Sequence, residues 1–516
     1  MFEKQPKTSP RPAGAQARRE ADQVSGPHFT AEAIRQPVAE PQVIFVDLDG
    51  TLTASDLLYE ALTLAAKRGL RHLPAIASAG LRGRAALKEA LSELERPNAA
   101  LLPYREEVLS FLRAQKAAGR LIVLATASHE TWARDVAKHL GLFDSVLASV
   151  AGCNLKGPRK LQAIEEFCRQ RGFEGFAYIG DSPADLPIWR NSARAFVVAP
   201  SRALAAKVAK LGTPSSVIAR QAPPWKAVCK VLRPHQWSKN MLLFVPMFLS
   251  HVITLGGIAT ALLAFVAFSL VASSVYVVND LLDIESDRRH PKKRHRPFAS
   301  GSLGVAWGPL LAAGLASTSF LLAFATLPMR FVGLMAVYLA ITSLYSFWLK
   351  RLVVVDVMVL AGLYTLRVVG GALATGSPLS EWMLGLSMFL FTSLAFAKRY
   401  AELARLEDEQ LGDSAGRGYR VADLGIIESL GPASGYLSVL VLALYINSNA
   451  MRSLYVNSWA LWMICPLLMY WITRVWFMAK RRQLSEDPVV FALKDGVSRL
   501  VGVCVLVLVI LGSIAT

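Results

Sequence analysis

The chain has 516 residues, 53% of them hydrophobic, and 56 Lys and Arg against 38 Asp and Glu give a formal charge of +18. That length allows two or more domains, and the apolar residues are unevenly placed: the first ~230 positions resemble soluble protein and the rest is apolar blocks split by basic loops. Cations gather at the ends of the apolar blocks, so the charge excess argues for membrane topology and phosphate substrates and against nucleic acid as a partner. Five cysteines (Cys153, Cys168, Cys229, Cys465, Cys504) lack paired or metal-ligand spacing, as free thiols in a reducing compartment do.

Residues 1–40 are rich in Pro, Ala, Gln and Arg and have no continuous apolar stretch, which predicts a disordered tail rather than a signal peptide. Val43–Val46 reads as a buried parallel strand that runs into Asp47-Leu48-Asp49-Gly50-Thr51. Two carboxylates two residues apart on such a loop can divide labour, Asp47 attacking a phosphoryl group and Asp49 protonating the leaving oxygen. A second strand, 121–125, ends at Thr126-Ala127-Ser128, where a hydroxyl can hold a phosphate oxygen. Lys160 opens an amphipathic helix and is the first choice to neutralise that phosphate, with Lys156 the runner-up. A third strand, 176–179, ends in Gly180-Asp181-Ser182-Pro183-Ala184-Asp185, whose acids would complete a Mg²⁺ site with Asp47.

With these four motifs in order, the segment 41–200 resembles the haloacid-dehalogenase-like (HAD) phosphatases. The resemblance implies a Rossmann-like α/β domain. It makes Asp47 the nucleophile, Asp49 the acid/base, Thr126 the phosphate binder and Lys160 the charge clamp. Asp181 would hold metal with Asp47 and Asp49, and Asp185 is a further candidate. Helical residues 55–100 would form the small cap that sets substrate choice. A HAD fold kept only for docking is the competing reading.

Residues 201–224 read as a linker ending in Pro223-Pro224, and 225–240 as an amphipathic helix lying at a membrane interface, carrying Arg233, His235, Trp237 and Lys239. Nine apolar blocks follow, at 241–256, 258–278, 304–326, 331–349, 352–374, 382–397, 433–448, 457–475 and 499–514, predicting an all-α membrane domain of nine transmembrane helices over 225–516. Basic residues collect in alternate loops, whereas the opposite side has Arg330 and Arg452. Arg417 belongs to the basic side. The positive-inside rule puts the first domain in the cytoplasm of a cell inner-membrane protein and the C-terminus outside.

The stretch 279–301, NDLLDIESDRRHPKKRHRPFASG, follows the second block. At helical pitch Asn279, Asp283 and Asp287 share a stripe with Asp280 at its edge. Such oxygen ligands suit Mg²⁺, and the basic run beside them, with Lys292, Arg294 and Arg296, suits phosphate. Tyr345-Ser-Phe-Trp-Leu-Lys350-Arg351 leads to Asp356, and Arg367, eleven residues on, is predicted to face the same way. Charges inside a span usually have a partner or a substrate. Lys398-Arg399-Tyr400-Ala401-Glu402-Leu403 closes a later block.

NDxxDxxxD in that setting resembles the UbiA superfamily of intramembrane prenyltransferases, over Arg233 to the C-terminus. Most members carry a second DxxxD loop; here KRYAEL stands in its place. RPHQWSKN, the 279–301 stretch, YSFWLK…D and KRYAEL together resemble the decaprenyl-phosphate phosphoribosyltransferase branch. The resemblance implies phosphoribosyl pyrophosphate on Mg²⁺ held by Asn279, Asp280, Asp283 and Asp287, with Lys292, Arg294 and Arg296 neutralising its diphosphate. The acceptor would be a polyprenyl phosphate entering from the bilayer, its phosphate held by Lys350, Lys398, Arg399 and Tyr400, with Arg233 and Lys239 as weaker candidates. The HAD domain would then remove the ribose 5-phosphate. An aromatic prenyltransferase acting on 4-hydroxybenzoate or a similar ring is the enzymatic alternative; a transporter is disfavoured because no repeat is evident. Oligomerisation is left open.

Overall fold

Val43–Val46 is a run of branched and aromatic residues, and each is wholly buried as β1 of a parallel sheet. In the computed structural model residues 41–513 are described, apart from 70–71, 151, 220–223, 251–252, 409–417, 449–454, 456 and 485–487. The expected tail 1–40, Arg417, Arg452 and Pro223 lie outside the described residues.

The other strands are β2 (Leu121–His129), β3 (Ser145–Ser149), β4 (Phe176–Gly180), β5 (Arg194–Val198) and β6 (Ser215–Ala219), in the order β3-β2-β1-β4-β5-β6. All are parallel, so helices must cover both faces. One face packs Ile44, Val46, Ile122 and Leu124, the other Val43, Phe45, Val123 and Tyr178. The order reverses between β1 and β4, and ligands of open α/β sheets bind at such a switch, beyond the carboxyl ends of the strands. Asp47 and Asp181 leave those two ends. Between β1 and β2 stand the helices Leu57–Arg68, Leu73–Leu81, Arg84–Leu94 and Glu106–Ala117.

The stretch expected as a linker is structured. Ser201 caps the helix Arg202–Ala209 through Leu204 N, and β6 pairs with β5, so the α/β domain extends to Ala219. The sequence hides β6 because it is a short, half-exposed edge strand, SSVIA, without a continuous apolar run. The expected interfacial helix 225–240 is also broken. A helix Pro224–Val231 stops before Arg233, which adopts a left-handed φ of 50°, and Pro234 starts a 3-10 run, Pro234–Phe244.

Among the described residues seven helices are long and apolar enough to cross a membrane: Leu255–Leu282, Trp307–Thr326, Met329–Phe347, Val355–Thr375, Val421–Ile446, Trp459–Lys480 and Gly496–Ser513. This is a multi-pass membrane protein. Glu381–Asp408 is another long helix, apolar through 382–397 and charged beyond. The block expected at 241–256 is instead the end of the 3-10 run and a short helix, Val245–Leu249. The Val355–Thr375 helix joins two packed clusters, giving Val357, Ala361 and Val368 to one and Leu363 and Ala374 to the other. Exposed Leu310, Leu321 and Phe324 on the Trp307–Thr326 helix suit contact with lipid.

The two halves meet beside the end of the Leu255–Leu282 helix. Arg288 makes a bidentate pair with Glu60 of the α/β domain, at 2.6 and 3.1 Å, with only 6% and 2% of the side chains exposed. Its Nε donates to Ala299 O at 2.9 Å. Tyr59 packs on the apolar cluster of Val277, Leu281, Ile284 and Phe298. Gly301 has φ +70°, and a Cβ there would lie 2.5 Å from Ala54 Cβ. Only glycine permits this approach.

Candidate active sites

At the β1/β4 switch, Asp47, Asp181 and Asp185 offer carboxylate oxygens within 4.8 Å of one another, the only such triplet among the described residues. Lys160, 2% exposed, donates to Asp47 Oδ2 at 2.7 Å and to Tyr178 Oη at 3.0 Å. Leu48 N donates to Asp47 Oδ1, and Thr51 Oγ1 to Asp181 Oδ1 at 2.9 Å. Gly50 has φ +77°, and a Cβ there would sit 2.2 Å from Asp181 Oδ2, so this loop requires glycine. Burial pushes Asp47 up to about 6 although Lys160 opposes the shift. Burial, then the Asp56 charge, pushes Asp49 up to about 7. Burial, then the Asp47 charge, does the same to Asp181, also to about 7. Lys160 loses to burial but gains more from Asp47 and Asp185, so its pKa stands above the usual value. An ionised Asp47 beside an Asp49 half protonated near neutrality is the pairing that nucleophilic and acid/base work needs.

Two expectations change here. Asp49, expected among the metal ligands, turns its carboxylate to Ser128 Oγ (2.6 Å) and Leu57 N (2.9 Å); Asp185 takes its place in the triplet. Thr126 is wholly buried, and its Oγ1 accepts from Ser128 N at 3.0 Å, so it orders the strand end while Ala127 lines the cavity. Lys156, Lys88 and Arg84 also line this cavity of about 440 Å³. The last two come from the helix Arg84–Leu94, where solvent-face spacing hid them.

The second site lies where the Leu255–Leu282 helix ends. The acids do not form one helical stripe: the helix stops at Leu282, Asp283 occupies the turn and a short helix Ile284–Arg289 follows. Asp280 and Asp287, seven residues apart, lie on one side, so Asp280, expected at the edge, is the partner of Asp287. Arg296 Nη1 bridges them, 3.1 Å from Asp280 and 2.7 Å from Asp287, and Arg233 also pairs with Asp280. Asp280 Oδ2 is buried with no hydrogen-bond partner among the described residues. Asp283 faces Lys350 at 3.8 Å. Asn279 is half-buried nearby, and Lys292 and Arg294 are exposed. The close triplet in the first site is an all-oxygen donor set that fits a hard cation; at the second site Asp280, Asp283 and Asp287 do not come equally close together, and the orphaned Asp280 Oδ2 is the oxygen open to one.

Asp356 and Arg367 do not meet. Asp356, wholly buried, binds Arg399 (Nε to Oδ2, 2.5 Å) and Tyr345 Oη (2.7 Å). Arg399 also reaches Glu402 at 2.5 Å and is 1% exposed, so this expected phosphate binder is committed to a network across three helices. Arg367 instead binds Asn240 at 2.8 Å, Tyr338 at 3.1 Å and Leu363 O. Periodicity shows a shared face, but partners come from neighbouring helices. Tyr400, also expected on phosphate, is buried against Trp476. Lys398 is half-buried, and Lys239 lies over the Tyr364 ring at 5.8 Å.

A parallel α/β hydrolase-type site joined to an acid- and cation-rich site at the end of a membrane helix defines a two-domain membrane enzyme. The haloacid dehalogenase-like hydrolase family matches residues 44–190 and the UbiA prenyltransferase family residues 242–495. The chain belongs to the UbiA prenyltransferase family and carries a HAD-like hydrolase domain ahead of it. Uncharacterized protein y4nM of Sinorhizobium fredii is 37% identical over 463 residues, 89% of each chain. Nodulation protein NoeC of Azorhizobium caulinodans is 35% identical over 287 residues, 55% of this chain and 91% of that protein. Decaprenyl-phosphate phosphoribosyltransferase of Mycobacterium tuberculosis is 39% identical over 185 residues, 34% of this chain and 60% of that protein.

Proposed function

We propose that the membrane domain transfers 5-phosphoribose from phosphoribosyl pyrophosphate to a polyprenyl phosphate, and that the HAD domain then removes the 5-phosphate to leave polyprenylphosphoryl ribose. The observation that carries this reading is the knot of Asp280, Asp287, Arg233 and Arg296, with the buried Asp280 Oδ2 left unbonded. Likeness to the decaprenyl-phosphate phosphoribosyltransferases supports the choice of substrates. Magnesium held by Asp280, Asp283, Asp287 and Asn279, and by the Asp47 triplet, would supply charge neutralisation on phosphate oxygens.

The chain's own residues then act as follows. Arg296, Arg294 and Lys292 draw negative charge toward the leaving pyrophosphate. The lipid phosphate oxygen forms a bond to ribose C1 while the C1–oxygen bond to pyrophosphate breaks, its electron pair leaving with pyrophosphate. That nucleophile is ionised at neutral pH and needs no base. Lys350 and Lys398 hold the acceptor phosphate, and Asp356 positions Arg399 beside them. The prenyl tail lies in an apolar cleft of about 350 Å³ lined by Ile341, Val359, Leu363, Leu366 and Met388, one turn from Tyr345 and Asp356. In the HAD site Asp47 attacks phosphorus and Asp49 protonates the departing ribose oxygen. Water then attacks the aspartyl phosphate, giving its proton to Asp49 and releasing phosphate.

The chain crosses an inner membrane nine times, with the HAD domain in the cytoplasm and the C-terminus outside. Glu381–Asp408 and the Pro234–Leu249 segment add to the seven long apolar helices. The latter, mostly 3-10 with its rise of about 2.0 Å per residue, reaches about 30 Å.

The test supplies purified protein with labelled phosphoribosyl pyrophosphate and a polyprenyl phosphate. The wild type yields polyprenylphosphoryl ribose and Asp47→Asn accumulates the 5-phospho lipid. Identical products from both would remove the coupling, and unchanged synthesis by Asp287→Ala would remove the transferase site.

A further inference from the structure

The phosphatase cavity is not enclosed by its own domain. Asp47, Lys160 and Asp181 form its floor and the helix Arg84–Leu94 one side, but Gly304, Val305 and Ala306 of the membrane domain form another. Those three residues lead directly into the Trp307–Thr326 helix, whose Trp307 is exposed at its start, as a tryptophan at a membrane interface is. The wall is fixed in place. Val305 is 3% exposed in the cluster with Val231 and Leu281, and the Arg288–Glu60 pair and the Gly301–Ala54 contact hold the adjoining chain.

Cations occupy the rim. Lys88 Nζ donates to Ala127 O and lies 3.3 Å from Asn154 Oδ1; the charges of Asp49 and Asp56 favour its own, and those of Lys156 and Arg84 oppose it less strongly. Lys160 pairs with Asp47 and Asp185, and Arg84, Lys88 and Lys156 line the cavity outside that pairing. Arg84, Lys88 and Lys156 give one side of the cavity cationic donors for a second anion, beyond the phosphate that Asp47 attacks, with Asp49 and Asp56 beside them.

We propose that this cavity takes a phosphate monoester that also carries a diester phosphate linking it to a lipid, with the Gly304–Ala306 turn as the wall that selects it. The monoester sits on Asp47, the diester lies by Arg84, Lys88 and Lys156, and the lipid leaves along the membrane domain. This rests on the two-step reading above and names what its second step recognises. A water-soluble ester lacking the diester gains nothing from the wall or the rim.

The test compares the full-length protein with Gly304→Phe and Ala306→Phe. An added Cβ at Gly304 meets only Trp307 Cδ1, at 3.8 Å, so the change points into open space. Substrates are farnesylphosphoryl-5-phosphoribose and ribose 5-phosphate, with p-nitrophenyl phosphate to register the phosphatase chemistry. The wild type prefers the lipid over ribose 5-phosphate by about 100-fold in kcat/KM, and each variant lowers that ratio about tenfold. A lipid-to-sugar ratio unchanged in either variant overturns the composite pocket while leaving the two-step reading intact. A wild type that hydrolyses p-nitrophenyl phosphate but not the lipid overturns both.

Discussion

Replacing Arg399 with methionine would leave Asp356 charged and unpaired in the membrane domain, where it is wholly buried. With charge centres about 4 Å apart and an effective dielectric near 20, their attraction is about 4 kcal/mol. Breaking one side of a buried pair costs about 3–5 kcal/mol, because the remaining charge keeps its desolvation penalty. Arg399→Met is therefore expected to lose about 3–5 kcal/mol, and Asp356→Leu less, because Arg399 keeps its pair with Glu402. The double variant should recover about 2–3 kcal/mol relative to their sum, since it leaves no wholly buried lone charge; Glu402, the other partner of Arg399, is about a third exposed. Chemical unfolding in detergent micelles measures the cycle, and transferase turnover is followed in the same preparations. A positioning role predicts that turnover recovers in part with stability in the double variant. Additivity within about 0.5 kcal/mol would refute the pair, and a stable but wholly inactive double variant would return Arg399 to direct phosphate binding.

Metal-free protein should lose stability as pH rises. Asp47, Asp49 and Asp181 have folded-state pKa values of about 6, 7 and 7, above their ordinary 3.8. Their contribution is full below the unfolded pKa and is lost as pH climbs through the folded values, so the melting temperature in EDTA falls between about pH 4 and pH 7. Added magnesium should raise it more at pH 8 than at pH 5.5, and Asp185→Asn should blunt that gain; equal gains at both pH values would count against the triplet as a cation site. Arg296→Met removes the bridge between Asp280 and Asp287 and a cation for the donor diphosphate, so phosphoribosyl pyrophosphate binding should weaken by about 1.5–3 kcal/mol, read as a higher KM. Gly301→Val meets both a left-handed backbone and Ala54, and should unseat the HAD domain, seen as faster limited proteolysis between the domains.

Much of the HAD site is legible in the chain because strand-end motifs place carboxylates without help from distant elements: Asp47 and Asp181 both leave the ends of apolar strands. The acids of 181–185 beside Asp47 are legible as a set, whereas Asp49 standing aside from them is not, because that depends on Ser128 and Leu57 N drawing its carboxylate away. The edge strand β6 escapes for lack of apolar pattern. In the membrane domain periodicity locates helices and their charged ends. It cannot say that Arg399 is consumed by Asp356 and Glu402, or that Asp283 sits in the turn between two helices while Arg296 bridges Asp280 and Asp287.

The Ile284–Arg289 helix is under two masters at adjacent positions. Asp287 pairs with Arg296 in the acid- and cation-rich site of the membrane domain, while its neighbour Arg288 grips the HAD-like domain through Glu60. A single inserted residue between Asp283 and Asp287 would swing both by about 100° and misdirect them together. Separating the activities onto independent polypeptides would strand Glu60 and Arg288 as unmatched charges on two apolar surfaces, so the fused arrangement resists being taken apart.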